Sequence, residues 1–66
     1  MRIYINGESR EVPNELSLAD LIAERQLAGQ RIAVEINEEL VPRSTHASHR
    51  LRPDDRVEIV AAIGGG

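Results

Sequence analysis

The stretch Arg56-Val57-Glu58-Ile59-Val60, near the end of the chain, decides how the rest of the sequence can fold. Its apolar residues alternate with charged ones, which is typical of a β-strand with one buried face. Two earlier segments, residues 2–12 and 32–41, each have the pattern of a β-hairpin. Because two separate hairpins would leave the sheet split, we predict that the last strand lies between them and joins them into one sheet.

The first predicted hairpin consists of strands at residues 2–5 and 8–12, joined by Asn6-Gly7 and ended by Pro13. An Asn-Gly pair between two strand-like runs is a strong hairpin signal, because both central residues of the turn must accept positive φ. Apolar Ile3 and Ile5 alternate with polar neighbours, as expected for a strand that buries one face.

The second predicted hairpin begins with the alternating strand 32–36, turns at Asn37-Glu38 and returns in a short strand through Val41, which Pro42 ends. The final strand, which starts at Arg56, is predicted to continue through Ala62. If the first and last strands are parallel neighbours, the chain leaves the sheet at one edge and residues 63–66 project from it.

One helix is predicted between the hairpins. Ser17 has the residue type that caps the free N–H groups of a helix start, and Leu18, Leu21 and Ile22 fall on one helical face. Gly29 is the predicted helix stop. Residues 43–51 look irregular, with one short helical turn, and Pro53-Asp54-Asp55 is predicted to be a turn.

The order hairpin, helix, hairpin, loop and strand predicts an α+β fold of the β-grasp type, with a mixed sheet of about five strands packed on one helix. We expect a β-grasp domain at residues 1–62 and a flexible glycine tail at residues 63–66. The predicted core is made of aliphatic side chains: Ile3, Ile5, Val12, Leu18, Leu21, Ile22, Ile32, Val34, Ile36, Leu51, Val57 and Ile59.

Composition disfavours several classes of function. The formal net charge is −3, and Tyr4 is the only aromatic residue, so neither a basic surface nor a stacking platform favours nucleic-acid binding. Cysteine is absent, so no disulfide or thiolate metal site can form. A chain of 66 residues has a thin core and little room for a catalytic cleft. With no apolar signal segment or membrane-length run, we expect a soluble cytoplasmic protein.

The ending Ile63-Gly64-Gly65-Gly66 is the most informative segment for function. Three glycines add no packing and cost backbone entropy if they are ordered, so they do not help the fold. Glycine has no Cβ that could clash with the walls of a narrow partner site. From Ala61 to Gly66 the chain reaches up to about 20 Å. This pattern indicates a chain end that threads into another protein, although a frayed terminus would look similar.

The sequence resembles the ThiS family of ubiquitin-like sulfur carriers over its whole length. The segments that carry the resemblance are Asn6-Gly7, the helix start at Ser17, Ala33-Val34-Glu35-Ile36-Asn37, Val41-Pro42-Arg43, Asp55-Arg56-Val57-Glu58-Ile59 and Gly65-Gly66. The short length and Val-Pro-Arg favour this family over the larger molybdopterin-type sulfur carrier. One departure is Asp54-Asp55, where the family usually has Gly-Asp. Because aspartate tolerates left-handed geometry better than most residues, we expect no more than local strain there.

The resemblance implies a carrier protein, not an enzyme, that donates sulfur for thiazole formation in thiamin biosynthesis. A ThiF-like adenylyltransferase would use ATP to activate the carboxylate of Gly66, and sulfur from a cysteine desulfurase system would convert it to a thiocarboxylate. A ThiG-like thiazole synthase would receive the sulfur. No bound cofactor or metal is implied for the carrier itself. Ile63, Gly64 and Gly65 would thread into the partner sites.

Other interpretations of the residues remain open. Tyr4, Ala33, Val60 and Ala62 are predicted on the sheet face away from the helix, either as a docking patch or as scattered apolar residues. A ubiquitin-like modifier that is joined to target proteins, and a purely structural binding module, are alternative functions. The chain has no lysine, which excludes polymers linked through its own side-chain amines.

The histidines and hydroxyl residues of the loop are candidates for two other kinds of site. His46 and His49, near Asp54 and Asp55, resemble a metal-binding set, but neighbouring arginines disfavour a cation and we expect a solvated surface instead. The serines and threonine of the same loop, Ser44, Thr45 and Ser48, lack the motifs of a nucleophilic site, so local turn hydrogen bonds are expected of them.

Overall fold

The computed structural model describes residues 1–61, which form a five-stranded sheet in the order β2-β1-β5-β3-β4. The strands are β1 (Arg2–Ile5), β2 (Glu8–Glu11), β3 (Ile32–Ile36), β4 (Glu39–Leu40) and β5 (Arg56–Ala61). The helix α1 spans Leu18–Glu24, and a short 3-10 helix spans Arg43–Thr45. The predicted α+β, β-grasp architecture is confirmed, and Ala62, which we predicted to end the last strand, lies outside the described residues.

Strand β5 joins the two hairpins, as predicted. It runs parallel to β1, with Tyr4 opposite Arg56 and Ile5 opposite Val57. On its other side it runs antiparallel to β3, and the paired segment extends from Ile36 opposite Val57 to Ile32 opposite Ala61. The sheet is therefore mixed, and its central strand is the last one in the sequence.

Both hairpin turns have positive φ at their two central residues, a geometry that the sequence predicted for the first turn. Asn6 and Gly7 have φ of 50° and 86°, and Asn37 and Glu38 have φ of 53° and 71°. Two successive positive values match the right-handed twist of the flanking strands. Glu38 is the unexpected member, because a glutamate takes this conformation less readily than glycine or asparagine.

Helix α1 begins where the sequence predicts and ends earlier. The Ser17 hydroxyl accepts a hydrogen bond from the Asp20 amide at 3.0 Å, as an N-cap should. Gly29 was the wrong stop, because the chain already turns into the left-handed region at Gln26, with φ of 61°. The amides of Gln26 and Leu27 then bond the carbonyls of Ala23 and Ile22, which is the Schellman pattern.

The predicted core is largely confirmed. The residues that were predicted and are buried are Ile3, Ile5, Leu18, Leu21, Ile22, Val34, Ile36, Leu51, Val57 and Ile59. Val12 and Ile32 are only partly buried against this cluster. Val41 is buried although it was not predicted to be, because its amide bonds the Val34 carbonyl at 2.9 Å and so continues the pairing past the end of β4.

The segment between β4 and β5 covers the start of the helix. The amide of Leu18 donates to the His49 carbonyl at 2.9 Å, and the amide of Ala19 donates to the His46 carbonyl at 3.0 Å. Amides in the first turn of a helix have no partner within the helix, so the loop supplies the missing acceptors. The loop is thereby tied to α1.

The predicted turn at Pro53-Asp54-Asp55 is confirmed, since the Asp55 amide donates to the Arg52 carbonyl at 3.1 Å. Asp54 has φ of 70°, in the left-handed region that glycine occupies without strain. Asp54 is therefore where local strain is expected, and it is the position at which the family that this sequence resembles usually has glycine.

Candidate functional site

The end of strand β5 is where the described part of the chain meets the predicted glycine tail. Ala61 is the last described residue of this central strand, and it lies opposite Ile32 of β3. The predicted tail residues Ile63, Gly64, Gly65 and Gly66 lie outside the described residues, as does Ala62 of the predicted docking patch. The structure shows the strand from which this tail continues. We call β5 the root of the tail: it is buried at Val57 and Ile59 and paired with β3 as far as Ala61.

The side chain of Asn6 holds this root from the β1 side. Its Oδ1 atom accepts a hydrogen bond from the Ile59 amide at 2.9 Å, and its Nδ2 group donates to the Ile59 carbonyl at 3.3 Å. The Asn6 backbone amide donates to the Val57 carbonyl at 2.8 Å. One residue of the first turn therefore contacts two successive inward-facing positions of β5.

The side chain of Asn37 holds the opposite end of β5 from the β3 side. Its Oδ1 atom accepts from the Arg56 amide at 3.0 Å, and its Nδ2 group donates to the Asp55 carboxylate at 3.0 Å. The same carboxylate accepts from the Arg52 amide at 2.9 Å. Asp55 is a buried charged residue, and these two donors are what satisfies it. Asn6 and Asn37 were predicted only as turn residues, so these roles were missed.

The outer face of the sheet, away from α1, carries the described members of the predicted docking patch. Ala33 and Val60 are directly opposite each other, so their side chains are neighbours on one face. Val60 is 57% exposed, and Ala33 is half-buried. Tyr4 lies on the same face opposite Arg56, about 13 Å along β5 from Val60 at the usual rise per strand residue.

Two carboxylates occupy the middle of this outer face. Glu35 and Glu58 are directly opposite each other on β3 and β5, and both are exposed. Like charges at directly opposed positions destabilise a sheet, so this pair favours any partner that brings a positive charge between them. Next to Glu35 across the sheet lies Leu40, which is 67% exposed.

The expectation that His46 is a solvated surface residue is wrong. His46 is buried, and its Nε2 atom lies 3.1 Å from the Val41 carbonyl. The 3-10 turn at Arg43–Thr45 and the bond from Ala19 to the His46 carbonyl bring this residue against the helix. His49 is half-buried. Within residues 1–61, histidine and acidic side chains do not gather into a group of three or more that could hold a metal ion.

Two of the three loop hydroxyls, those of Thr45 and Ser48, make the local turn bonds that were expected. Thr45 Oγ1 donates to the Pro42 carbonyl at 2.9 Å, and Ser48 Oγ donates to the Thr45 carbonyl at 3.2 Å. These bonds stabilise the turn and leave the hydroxyls engaged with the backbone. Among residues 1–61, none of the helices has the length and apolar character required to cross a membrane.

Comparison with known proteins identifies relatives of two lengths. The chain is 39% identical over 66 residues to a thiazole synthase of Paramagnetospirillum magneticum, a match that covers 100% of this chain and 20% of that protein. It therefore spans about a fifth of the length of that relative. It is also 39% identical over 64 residues to the uncharacterized protein ycf40 of Porphyra purpurea, covering 97% of this chain and 90% of that one.

A solved structure and a family model complete the comparison. The crystal structure of the thiamine biosynthesis protein ThiS from Geobacter metallireducens matches with a TM-score of 0.87 at 26% identity, and each chain is covered completely. The model of the ThiS family matches residues 3–66, which include both hairpins, the helix, the central strand and the glycine end. On this evidence the chain belongs to the ThiS family.

Proposed function

We propose that this chain is a sulfur carrier of thiamin biosynthesis, which presents the carboxylate of Gly66 to partner enzymes and is not itself a catalyst. The observation that carries the proposal is the position of β5: a central, buried strand leads directly to a glycine end in a chain of the ThiS family. A rigid root with a glycine end suits insertion into a narrow site, because glycine has no Cβ to clash with its walls.

Activation requires a partner, since a carboxylate is a poor electrophile. In the proposed first step, an oxygen of the Gly66 carboxylate attacks the α-phosphate of ATP, and pyrophosphate leaves. The product is an acyl-adenylate bound to a ThiF-like adenylyltransferase. ATP is thus consumed by the partner, and the carrier needs no bound cofactor of its own.

Sulfur enters in the second step. The terminal sulfur of a persulfide, supplied by a cysteine desulfurase system, attacks the acyl carbon of Gly66, and AMP leaves. A second thiol of that system then cleaves the sulfur–sulfur bond, forming a disulfide and leaving a thiocarboxylate on the carrier. Because this sequence has no cysteine, its terminus is the group with suitable chemistry for carrying the sulfur.

The thiazole synthase is the proposed recipient. Ile63, Gly64 and Gly65 would lie in the entrance of its active site, as they would in that of the adenylyltransferase. Support for this partner comes from the relative that is itself named thiazole synthase, one-fifth of which resembles this chain. A carrier segment within such a protein fits a partnership between the two activities.

Intact mass spectrometry tests the proposal. After incubation with ATP, the adenylyltransferase and a persulfide donor, the chain should gain the mass difference between one sulfur and one oxygen atom. A chain that lacks Gly65 and Gly66 should remain folded by circular dichroism and fail to load. Loading of the shortened chain contradicts the assignment of the site, and covalent adducts with other proteins would instead indicate a ubiquitin-like modifier.

The docking surface is the second part of the proposal: Tyr4, Ala33, Val60 and Ala62 would contact the adenylyltransferase. Val60→Asp places a charge in an exposed position, so the fold should survive while the KM for the carrier rises by about tenfold or more. Leu40→Asp is the matched control, since Leu40 is at least as exposed on the same face but lies outside the patch. Equal effects of the two substitutions would contradict this patch.

A further inference from the structure

The side-chain amide of Asn6 continues a strand ladder at a point where the backbone of that strand has already turned away. The amides of Tyr4 in β1 and of Asn6, the residue after β1, donate to the carbonyls of Asp55 and Val57 at 2.9 and 2.8 Å. A regular parallel ladder would continue with a carbonyl that accepts from the Ile59 amide and an amide that donates to the Ile59 carbonyl. After Asn6, however, the chain turns into β2 through Gly7.

The Asn6 amide group supplies both missing partners. Oδ1 takes the place of the backbone carbonyl, at 2.9 Å from the Ile59 nitrogen, and Nδ2 takes the place of the next backbone amide, at 3.3 Å from the Ile59 oxygen. Backbone groups on a partly buried strand need such partners, so the pairing of β5 on this side extends two residues beyond Val57. Its end lies two residues before Ala61.

The position of this contact matters because the terminal carboxylate lies several residues beyond it, so a small change in the direction of β5 moves the terminus by a larger distance. The five residues beyond Ala61 span at most about 18 Å when extended. When this end is held extended in a narrow partner site, a tilt of roughly 10° in the strand that precedes it displaces the terminus by about 3 Å. Displacements of this size strongly slow reactions that depend on the placement of the reacting atoms. Strand β3 pairs with β5 as far as Ala61, and on the β1 side the described contact nearest the tail is that of Asn6 with Ile59. Asn6 therefore influences the tilt of β5, and with it where the terminal carboxylate arrives.

We infer that Asn6 is a positioning residue that, together with the pairing to β3, sets the exit direction of β5, so that the chain terminus is placed correctly in the site of an activating enzyme. This inference rests on the proposed function of Gly66. Asn6 is distant from the tail in the sequence, since 53 positions separate it even from Ile59, the residue of β5 that it contacts. Asn6 does not touch the reacting atoms, and its effect is exerted through the backbone of β5.

Asn37 provides a matched control for substitution. It occupies the same first position of its hairpin turn, with φ of 53° against 50° for Asn6, and its side chain also accepts a hydrogen bond from an amide of β5. That amide belongs to Arg56, at the beginning of the strand and away from the tail. Glycine accepts positive φ at either site, so Asn6→Gly and Asn37→Gly remove the side-chain bonds and preserve the turns.

The experiment measures pyrophosphate release by a purified ThiF-like adenylyltransferase with ATP and varied concentrations of the full chain, at a temperature where all variants are folded. For Asn6→Gly we expect kcat to fall by about tenfold or more with KM nearly unchanged, since the outer face is intact while the terminus is misplaced. Asn37→Gly should keep the kcat of the wild-type chain. Equal kcat values for Asn6→Gly and the wild-type chain, or equal losses in both glycine variants, overturn the positioning role.

A second readout does not depend on activity. Amide hydrogen exchange of Ile59 should be about tenfold faster in Asn6→Gly than in the wild-type chain, because the acceptor of its hydrogen bond is removed. Unchanged protection of Ile59 in Asn6→Gly overturns the inference. If the wild-type chain releases no pyrophosphate at all, the proposed function itself fails, and this outcome is distinct from a wild-type rate in Asn6→Gly.

Discussion

The two hairpins of the sheet hold strand β5 from opposite sides and along different lengths. The β3–β4 hairpin pairs with β5 along five residues, Ile32–Ile36, whereas the β1–β2 hairpin pairs with it through Tyr4 and Ile5. Both turns begin with an asparagine at positive φ whose side chain accepts a hydrogen bond from β5. The β1–β5 pairing is the shorter of the two, and the side chain of Asn6 extends it to Ile59 after β1 has ended.

The destinations of the two amide groups differ. Both polar atoms of the Asn6 side chain bond the backbone of Ile59, whereas Asn37 divides its bonds between the Arg56 amide and the buried Asp55 carboxylate. Asn37 thus secures the turn that precedes β5, and Asn6 secures β5 at Ile59 on the β1 side. The same residue in the same type of turn can serve stability at one end of a strand and placement at the other.

The largest expected effect tests whether both hairpins belong to one cooperative core. Ile5 and Ile36 lie opposite Val57 from the two sides, and both are buried. Replacing either with alanine should lower the free energy of unfolding by about 3 kcal/mol, because each leaves a cavity against the central strand. Denaturant titration followed by circular dichroism measures this.

Val60→Ala is the control for that comparison, since Val60 is exposed and should change the free energy of unfolding by less than about 0.5 kcal/mol. If Ile5→Ala were as mild as this control while Ile36→Ala remained severe, the short β1–β5 pairing would not contribute to the cooperative unit. The β3–β5 pairing would then belong to the cooperative core and the β1–β5 pairing would not.

A loss of stability of intermediate size is expected when either turn asparagine is replaced with glycine, and the loss should differ between Asn37 and Asn6. Asn37→Gly should lower the free energy of unfolding by about 2 kcal/mol, because it also removes a donor from the buried carboxylate of Asp55. Asn6→Gly should cost about 1 kcal/mol, since its lost bonds are to a single backbone position. Thermal and denaturant unfolding measure both, and the opposite order would show that Asp55 is satisfied without Asn37.

The smallest expected effect concerns the turn that Asn37 supports. Asp54→Gly should raise the free energy of unfolding by about 0.5 kcal/mol, because glycine relieves the strain at φ of 70° and returns part of the gain as backbone entropy. Asp54→Ala, which keeps a Cβ and loses the polar side chain, should instead be destabilising. A loss of stability in Asp54→Gly would indicate that the Asp54 side chain contributes more than its backbone costs.

Local patterns were sufficient for most of the fold. Alternation with period two located the strands, Asn6-Gly7 located the first turn, and the Ser17 hydroxyl located the helix start, where it accepts the Asp20 amide bond as expected. Such signals succeed because they depend on steric and hydrogen-bonding preferences within a few residues. The glycine end was assigned in the same way, from its composition and from the resemblance to the ThiS family, and stays a prediction for Gly66 itself.

The features that sequence reasoning missed depend on residues that are distant in the chain. His46 is buried because the loop packs on α1, and Val41 is buried because it bonds the Val34 carbonyl beyond the end of β4. The opposition of Glu35 and Glu58 exists only in the register of β3 against β5. A periodic pattern shows which residues share a face but not which of them become neighbours across strands.

Residue types along the chain were thus enough to predict the sheet, the helix start, most of the core and a chemically distinctive terminus. Folding was needed to bring the Asn6 amide to Ile59 and the Asn37 amide to Asp55, because no local preference links residues 53 or 18 positions apart. Side-chain hydrogen bonds of this kind form once the strands are in register, and so the direction in which the chain leaves the sheet is a property of the tertiary structure.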